Sequence, residues 1–358
     1  MGLRLIRRRS RSDPGSVILW ICKAAVRGFL ITAVAILMTI PAWPQESAQD
    51  LSSNSLEDLM NVEVTSVSKT EQRLSRTASA VFVITREDIR RSGATNIPDL
   101  LRMVPGISVA QISANTWAIT ARGLNGRFSN ELLVMLDGRS VYTPTFDGVR
   151  WDGLDLPLED IERIEVIRGP GASVWATNAV NGVINIITKK APGTSGGMVV
   201  AGGGTIDQGF GTLQYGGNIG KATSYRVFTK YWNQDHFPGT NGQDRGDGWN
   251  LTRVGFRTDT VFWPKDTVTF EGDLYRGREG NPGLSVTSIT SPAVKVQAQT
   301  NLGGGFLQTG WDHTFSANAG TSLQLSYANT SATMLWEKPA GRLTLRSSTT
   351  SLGAIDKT

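Results

Sequence analysis

The chain has 358 residues, enough for two ordinary domains, and a single cysteine, Cys22. Its formal net charge of +5 suggests an anionic partner, but the basic excess is confined to the N-terminus. Subtracting the seven basic residues and one acidic residue of positions 1–44 from the totals of 36 and 31 leaves 29 and 30. Composition therefore gives no argument for nucleic-acid binding, and we expect no nucleic-acid partner.

The N-terminal segment has the form of a secretory signal peptide. A basic stretch precedes the uncharged sequence "GFLITAVAILMTI" at positions 28–40. A run of this length suits the hydrophobic region of a secretory signal peptide. It is too short for a helix that spans a bilayer, which needs about 20 residues. The alternative is a membrane anchor that includes the upstream "VILWIC", although Lys23 and Arg27 interrupt it. We predict a signal peptide over 1–44, and without it the chain has no cysteine for a disulfide.

Residues 45–75 are polar and predicted to be flexible, whereas residues 76–192 carry the signals of a small α+β domain. "AVFVIT" and "WAITARG" predict strands. "REDIRRSG" predicts a helix that ends at Gly93, and "TNIPDLLRMVPG" predicts a second helix capped by Asn96, with Pro98 in its first turn. Asp137-Gly138 inside "ELLVMLDGRSVY" predicts a tight hairpin.

Residues 193–358 lose the helical period and alternate apolar with polar side chains. In "TVTFEGDLY", Val268, Phe270 and Leu274 share one face; "TRVGFRT" and "SLQLSY" alternate in the same way. Connections are predicted to be short near 218–222, 260–266 and 314–321, and long near 234–248, 276–300 and 331–342. Loops sorted by length favour antiparallel strands of an outer-membrane β-barrel over a soluble β-sandwich, which also alternates.

The stretch "IERIEVIRGPGASVWATNAVNGVINIITKK", positions 161–190, raises the possibility of a nucleotide-binding enzyme. A dinucleotide fingerprint needs G-x-G-x-x-G between a strand and a long helix. Here Pro170 separates Gly169 from Gly171, position 174 is valine, and no Gly-Lys-Ser/Thr occurs. We therefore expect no nucleotide site, no cofactor and no catalytic residue. The glycines between the two predicted strands are better explained as a compact turn, in which the chain reverses without side-chain bulk.

That stretch resembles the closing segment of the plug domain of TonB-dependent outer-membrane receptors. "AVFVITREDIRRSGATNIPDLLRMVPGISV" resembles the start of the plug, and "ARG" and "LLVMLDGRSVY" resemble its middle. Trp175, Ala176 and Asn181 depart from the residues commoner in the family. Together with "LEDLMNVEVTSVSK", the tryptophan suggests a subgroup akin to cobalamin and colicin I receptors. The resemblance extends to individual motifs in residues 56–192, whereas in residues 193–358 it is limited to the general pattern of alternating strands.

The resemblance implies a set of functional segments. The TonB box is expected at Glu63, Val64, Thr65, Ser66 and Val67, where β-branched residues favour an extended strand that adds to an edge of the energising partner. An ordinary first strand of the plug is the alternative. Arg122 and Arg168 resemble the plug arginines that face acidic groups of the barrel wall, although solvated surface arginines would look the same.

By the same resemblance, the function is active uptake of a small-molecule ligand across the outer membrane. The ligand would be an iron-siderophore, cobalamin or a similar chelate, the TonB energy-transducing complex would be the partner, and lipid would surround the barrel. Ligand-facing positions are expected in the outer loops, at Gln111, Asn115, Tyr142, Thr143, Phe146 and Trp151. A passive or oligosaccharide-specific channel is the alternative, though a porin would lack a plug. A signalling transducer would need a folded domain before the box.

No metal site is expected. His236 and His313 lack a second ligand at suitable spacing, and Asp244 with Asp247 does not match a calcium loop. We also expect an incomplete barrel. Such transporters use about 22 strands of about 9–11 residues, so strands alone require roughly 200–240 residues. Positions 191–358 supply 168, and about eight strands are expected, so these residues alone should not form a heat-resistant barrel.

Overall fold

We describe the protein from a computed structural model. The structure describes residues 63–64, 72–73, 80–123, 126–127, 131–143, 148–169, 179–239, 242, 244–285, 294–316, 319–338 and 341–357. Among these residues, no helix is long and apolar enough to cross a bilayer. The chain within them forms a mixed α+β domain followed by a large antiparallel sheet.

The N-terminal domain is built on a five-stranded mixed sheet. Its elements in chain order are β1 Glu63–Val64, β2 Gln72–Arg73, β3 Ala80–Thr85, α1 Arg86–Ser92, α2 Ile97–Leu101, β4 Ile107–Ser113, β5 Thr116–Ala121, β6 Leu132–Leu136, β7 Arg139–Ser140, β8 Tyr142–Thr143, β9 Gly148–Val149, β10 Ile161–Arg168 and β11 Gly182–Thr188. The sheet order is β3-β10-β11-β6-β7, with β11 and β6 parallel and the other pairs antiparallel. All five residues of β6 are buried, which explains why this strand is apolar without alternation.

Local sequence signals set both helices. Thr85 caps α1 through a capping box with Asp88, and Gly93 ends it at a φ of 68°. Asn96 caps α2 by accepting from the backbone N–H of Asp99 at 2.9 Å. The predicted caps are therefore confirmed.

The predicted hairpin at Asp137-Gly138 is also confirmed. Both residues have positive φ, 47° and 82°, as a two-residue turn between twisted strands requires. The Asp137 carboxylate also accepts from the backbone N–H and the hydroxyl of Thr188, at 2.8 and 2.9 Å. This contact joins the tip of the hairpin to the end of β11.

The second sheet has eight strands in chain order, each antiparallel to the next. They are β12 Gly196–Gly202, β13 Gly209–Ile219, β14 Thr223–Gln234, β15 Trp249–Trp263, β16 Asp266–Ser285, β17 Val294–Ser316, β18 Ala319–Lys338 and β19 Gly341–Lys357. Within the described residues, β12 pairs only with β13, and β19 only with β18. The predicted strand number and the open, incomplete barrel agree with this sheet.

The alternation in this sheet is inverted relative to a water-soluble protein. Arg253 and Arg257 on β15 are 3% and 8% exposed, whereas Val254 between them is 56% exposed. On β16, Leu274 is 73% exposed while the neighbouring Asp273 is 5% exposed. A sheet that buries charges and exposes aliphatic side chains has its apolar face toward lipid and its polar face toward the enclosed domain.

The predicted connections are partly wrong. Short turns occur as expected at 220–222 and 264–265, and a long connection follows β14 at 235–248. However, β16 extends to Ser285 before β17 begins at Val294, so most of the predicted loop at 276–300 is strand. Likewise, strand covers most of 331–342. Beyond the apolar band, contact with lipid no longer requires apolar and polar side chains to alternate. The strand pairing therefore continues through glycine, proline and asparagine residues, which in the sequence predict a loop.

Candidate functional site

The candidate functional site is the interface between the mixed domain and the polar face of the eight-stranded sheet. Its apolar part is a cluster of tryptophans contributed by both units. The ring of Trp117 on β5 meets that of Trp249 on β15 edge-on, with centroids 6.2 Å apart. Trp249 in turn lies 6.2 Å from Trp232 on β14, which stacks on Phe210 at 5.4 Å. These side chains join the core of the domain to the sheet wall.

Two cations of the wall clamp the segment between β9 and β10. Lys230 on β14 pairs with the Asp155 carboxylate and donates to the carbonyl of Leu156 at 2.9 Å. Arg253 on β15 donates to the carbonyl of Asp155 at 2.9 Å and to that of Gly153. The side chains of Lys230 and Asp155 are both 4% exposed. Removing one partner of such a pair leaves a buried charge uncompensated, at a cost of about 3–5 kcal/mol.

A second buried pair lies near the end of β11. The Arg226 guanidinium on β14 is 3.5 Å from the Asp160 carboxylate and donates to the carbonyl of Lys189 at 2.7 Å. Neither carboxylate oxygen of Asp160 has a hydrogen-bond partner among the described residues. Burial raises the pKa of Asp160 to about 6, although Arg226 and Lys189 oppose the rise. Burial, reinforced by Arg86, lowers the pKa of Lys189. This contact is therefore sensitive to protonation.

The chain that leaves the mixed domain is fixed to the base of the sheet. Asp259 on β15 accepts from the backbone N–H of Ala191 at 2.6 Å and pairs with Arg257 at 3.1 Å. Gln308 and Gln324, on β17 and β18, both donate to the carbonyl of Asp137, at 3.0 and 2.7 Å. Buried amides and charges of three strands thus converge on the hairpin tip and the exit of the mixed domain.

At the end of the sheet where the long connections lie, Arg150 and Asn115 of the mixed domain contact the sheet. The Arg150 guanidinium pairs with Asp152 of its own domain and with Glu279 on β16, the latter at 3.1 Å. The Asn115 amide donates to the carbonyls of Gly280 at 2.8 Å and Asp247 at 3.2 Å. Interface contacts therefore run from one end of the sheet to the other.

Comparison with known proteins identifies this architecture. Residues 73–183 match the sequence family described as TonB-dependent Receptor Plug Domain. Over these residues the chain is similar to the TonB-dependent receptors. It is 30% identical over 237 residues to the vitamin B12 transporter BtuB of Vibrio cholerae, covering 65% of this chain and 34% of the relative. The corresponding transporter of Photobacterium profundum is 35% identical over 175 residues, covering 49% of this chain and 27% of the relative. The chain thus spans about a third of the length of these curated relatives.

Solved TonB-dependent receptors share the fold. The ferric enterobactin receptor PfeA of Pseudomonas aeruginosa superimposes with a TM-score of 0.61 at 20% identity, over 77% of this chain and 46% of that one. The ferric-catecholate import receptor Fiu of E. coli gives 0.54 at 18% identity, over 80% and 46%. In this fold the mixed domain is the plug and the eight-stranded sheet is barrel wall. The relatives named here are transporters and receptors, and the chain is an outer-membrane protein.

The structure places the two predicted arginines within the plug. Arg168 is half-buried and donates to the carbonyl of Pro105 at 3.0 Å, beneath Gly106. Arg122 is exposed, with a φ of 56°. Among the described residues, neither forms an ion pair with a carboxylate of the barrel wall, and their role as barrel contacts stays a prediction. Two observed pairs have the opposite polarity, since the plug supplies Asp155 and Asp160, whereas the pair of Arg150 with Glu279 has the predicted polarity at a different arginine.

The predicted ligand-facing residues divide between two cavities at the plug surface. Tyr142 and Thr143 line a cavity of about 70 Å³, and Asn115 and Trp151 line another of about 160 Å³. Arg150, which the sequence reasoning missed, lines both. The structure also places Gln111 half-buried on β4, where it donates to the carbonyl of Ala114 at 3.3 Å, and Phe146 lies outside the described residues. Their contact with ligand stays a prediction.

The predicted TonB box is described only in part. Glu63 and Val64 pair antiparallel with Arg73 and Gln72, as a short ladder before the plug. The remaining box residues, Thr65, Ser66 and Val67, lie outside the described residues.

The histidines contact carboxylates rather than standing alone. His236 lies 2.7 Å from Asp235 and 3.4 Å from Asp244, and His313 lies 2.8 Å from Asp266. In the part of the chain that the structure describes, no group of three or more histidine, cysteine or acidic residues could hold a metal ion.

Proposed function

We propose that this chain forms the plug and the first barrel strands of an active transporter that imports a small ligand across the outer membrane. The observation that carries the proposal is the buried clamp of Lys230 and Arg253 on residues 153–156 of the plug. Separating a plug from such desolvated charges and hydrogen bonds is costly, because each buried charge loses its partner. Opening needs work from outside, which favours an energised transporter over a passive or oligosaccharide-specific channel.

We propose TonB as the source of that work, acting on residues 63–67. In this view, residues 1–44 are a signal peptide and residues 45–75 carry the box in a flexible segment. Residues 76–192 are the plug, and residues 193–358 are barrel. The short pairing of β1 with β2 supports an extended backbone at Glu63 and Val64, the first two residues of the box. Among the described residues the pairing is two residues long on each side, and a ladder of that length is weak and can be exchanged for an edge of a partner sheet.

The ligand class that we propose is a metal chelate or a cobalamin-like molecule. The curated relatives named above are called vitamin B12 transporters, and the structures sharing the fold include ferric enterobactin receptors. In this chain, aromatic, amide and hydroxyl side chains surround the two cavities beside Arg150. Such linings suit a large ligand that combines apolar surface with a few hydrogen-bonding groups. No covalent chemistry is part of the proposal.

Growth rescue tests the proposal. The gene is expressed in a strain that lacks its own cobalamin and siderophore receptors, with cobalamin or a defined ferric siderophore as the limiting nutrient. We expect rescue on one of these sources, and only when TonB is present. Val64→Pro should abolish rescue because proline removes the N–H needed for strand addition. Val64→Thr, which keeps β-branching, is the matched control and should retain it. Rescue that persists without TonB would show a passive channel instead.

A further inference from the structure

The long connection between β14 and β15, residues 235–248, contacts both the barrel wall and the plug. On the wall side, the carbonyl of Gly248 accepts from the backbone N–H of Gly280 on β16 at 2.9 Å. A Cβ at Gly280 would lie 2.0 Å from the carbonyl oxygen of Gly246, so the connection rests directly on that strand. On the plug side, the same end of the connection meets residues 113–116, the tip of the hairpin formed by β4 and β5.

One buried carboxylate, that of Asp247, joins the two ends of this connection to the plug. Its Oδ1 accepts from the backbone N–H of Phe237, near the start of the connection, at 2.9 Å. Its Oδ2 accepts from the backbone N–H of Ala114, at the tip of the plug hairpin, at 3.1 Å. Asp247 is 0% exposed, and the Arg245 guanidinium lies 4.0 Å from Oδ2 as a counter-charge. The two oxygens of a single side chain therefore hold two backbone segments that are far apart in the sequence.

The next plug residue, Asn115, strengthens the same junction through its amide group. This amide donates to the backbone carbonyl of Asp247 at 3.2 Å and to that of Gly280 at 2.8 Å. Because Ala114 and Asn115 are 0% and 4% exposed, water does not replace these hydrogen bonds when they break. A shift of the hairpin tip therefore breaks bonds to the connection, and a shift of the connection breaks bonds to the hairpin tip.

The other two carboxylates of the connection differ from Asp247 in their contacts. Asp244 lies 3.4 Å from His236 and accepts from the backbone N–H of Gly246, and its side chain is 55% exposed. Asp235 lies 2.7 Å from His236 and accepts from Gln208 in the turn between β12 and β13. Within the described part of the chain, neither of them bonds to the plug. The link to the plug hairpin is therefore specific to Asp247, and Asp244 provides a matched control for it.

We propose that Asp247 is a positioning residue for transport, which makes the connection 235–248 and the plug hairpin tip move as one unit. The role in transport rests on the proposed function, whereas the coupling itself rests on the hydrogen bonds. Long connections lie on the outer side of such barrels, where ligand arrives. Asn115 at the hairpin tip lines the cavity of about 160 Å³ at the plug surface. Ligand held by the connection therefore acts on the plug through Asp247, and by linkage the plug acts equally on the binding of ligand.

Hydrogen exchange of the ligand-free protein tests the coupling. The full chain in a non-ionic detergent is transferred to heavy water, and peptides containing Ala114 and Phe237 are followed by mass spectrometry. In the wild type both amides should be equally protected, because one local opening releases both. Asp247→Ala removes both acceptor oxygens, and we expect exchange about 10- to 100-fold faster at both amides.

Two further variants distinguish coupling from a general loss of structure. Asp247→Asn keeps the shape of the side chain but has one carbonyl oxygen in place of two carboxylate oxygens, so one of the two amides should stay protected while the other exchanges faster. Asp244→Ala removes an exposed carboxylate from the same connection and should leave both amides as in the wild type. Faster exchange at Phe237 alone in Asp247→Ala, or equal effects of Asp244→Ala and Asp247→Ala at Ala114, would overturn the coupling.

Uptake measurements test the role in transport. Radiolabelled cobalamin, or the ferric siderophore that supports growth, is measured for binding to whole cells without TonB and for uptake with TonB. A positioning role predicts that Asp247→Asn keeps the wild-type number of bound ligand molecules per cell, while uptake per bound molecule falls about ten-fold. A fall in the number of bound molecules with unchanged uptake per molecule would show a merely structural role and overturn the proposal. Growth on neither ligand would refute the transport proposal, whereas the exchange rates would still decide whether Asp247 couples the connection to the plug.

Discussion

Lys230 on β14 and Asp155 in the plug form an ion pair in which both side chains are 4% exposed, 75 positions apart in the sequence. The same lysine donates to the carbonyl of Leu156, and Arg253 holds the carbonyls on either side of Leu154. The pair is thus the charged centre of a clamp that otherwise uses backbone acceptors. Loss of one charge cannot be compensated by solvent because the site is closed.

The first prediction concerns this clamp. Asp155→Asn should lower the free energy of unfolding of the plug by about 3–5 kcal/mol, because it leaves the Lys230 ammonium buried without a counter-charge. Lys230→Met should cost a similar amount, and the double variant less than the sum of the two, since the stranded charge is gone. Urea unfolding in detergent, followed by tryptophan fluorescence, measures all three. Entry of an antibiotic normally excluded by the plug provides a cellular readout.

Glu87 provides the control for the clamp. It pairs with Arg90 and Arg91 on the exposed face of α1, where solvent screens the charges. Glu87→Gln should leave plug unfolding and antibiotic entry close to wild type. Equal effects of the buried and the exposed substitutions would contradict the assignment of the clamp.

Local features of the plug were predictable from the sequence, and long-range pairs were not. Asn96, Gly93 and Asp137-Gly138 act through backbone geometry within a few residues, so their types alone indicate a cap or a turn. Alternation likewise put Arg253 on the polar face of its strand. The pairing of Lys230 with Asp155 depends on the position of the plug along the barrel wall. No local sequence pattern encodes that position.

A sequence signal for the interface did exist. Wall cations fall on the polar face of adjacent strands, at Arg226, Lys230, Arg253 and Arg257, and the plug segment "WDGLDLPLED" supplies carboxylates at positions 152, 155 and 160. Matching these two sets would have predicted acidic plug and basic wall. The family resemblance directed attention to Arg122 and Arg168 instead.

The second prediction is a pH dependence centred on Asp160. Its pKa is about 6 in the folded protein, raised mainly by burial from an ordinary value of 3.8. Between these values the unfolded chain has lost the proton that the folded chain retains, so stability falls as pH rises. The contribution is fully present below pH 4, and about 3 kcal/mol is lost by pH 7. Asp160→Asn does not titrate, and the difference in unfolding free energy between wild type and variant should follow this curve.

The direction of that difference is the decisive measurement. Relative to Asp160→Asn, the wild-type chain should be least stable at neutral pH and gain stability on acidification through pH 6. A wild-type chain that gains relative stability as pH rises would show that Arg226, at 3.5 Å, dominates over burial.

The third prediction concerns Gly182 at the start of β11. A Cβ there would lie 2.6 Å from the carbonyl oxygen of Ile167 and 3.2 Å from a methyl of Leu132, in the centre of the buried plug sheet. Backbone cannot yield as a side chain can, so Gly182→Ala should destabilise the plug by about 1–3 kcal/mol. Gly193→Ala makes the same chemical change where nothing lies within 4 Å. Thermal unfolding should separate the two variants, and a Gly182→Ala chain as stable as Gly193→Ala would contradict the packing.

The last prediction separates structure from ligand binding at Asn115. The sequence places this residue among the ligand-facing positions, whereas its amide donates to the carbonyls of Gly280 and Asp247 on the barrel side. Asn115 is 4% exposed, so a substitution leaves buried carbonyls without donors. Asn115→Ala should therefore lower the unfolding free energy by about 1–3 kcal/mol even with no ligand present. Gln111→Ala, which removes one long hydrogen bond of 3.3 Å, should have a smaller effect on stability.

Ligand affinity measured on the same two variants completes the argument. If Asn115 acts by holding the plug apex against β16, its loss weakens ligand binding and stability together, and ligand at saturation restores part of the stability. If it contacts ligand directly, affinity falls while the ligand-free stability stays at the wild-type level. Calorimetric titration with the ligand that supports growth, combined with urea unfolding of the ligand-free chain, distinguishes these outcomes. From the two hydrogen bonds to the barrel, we expect the first.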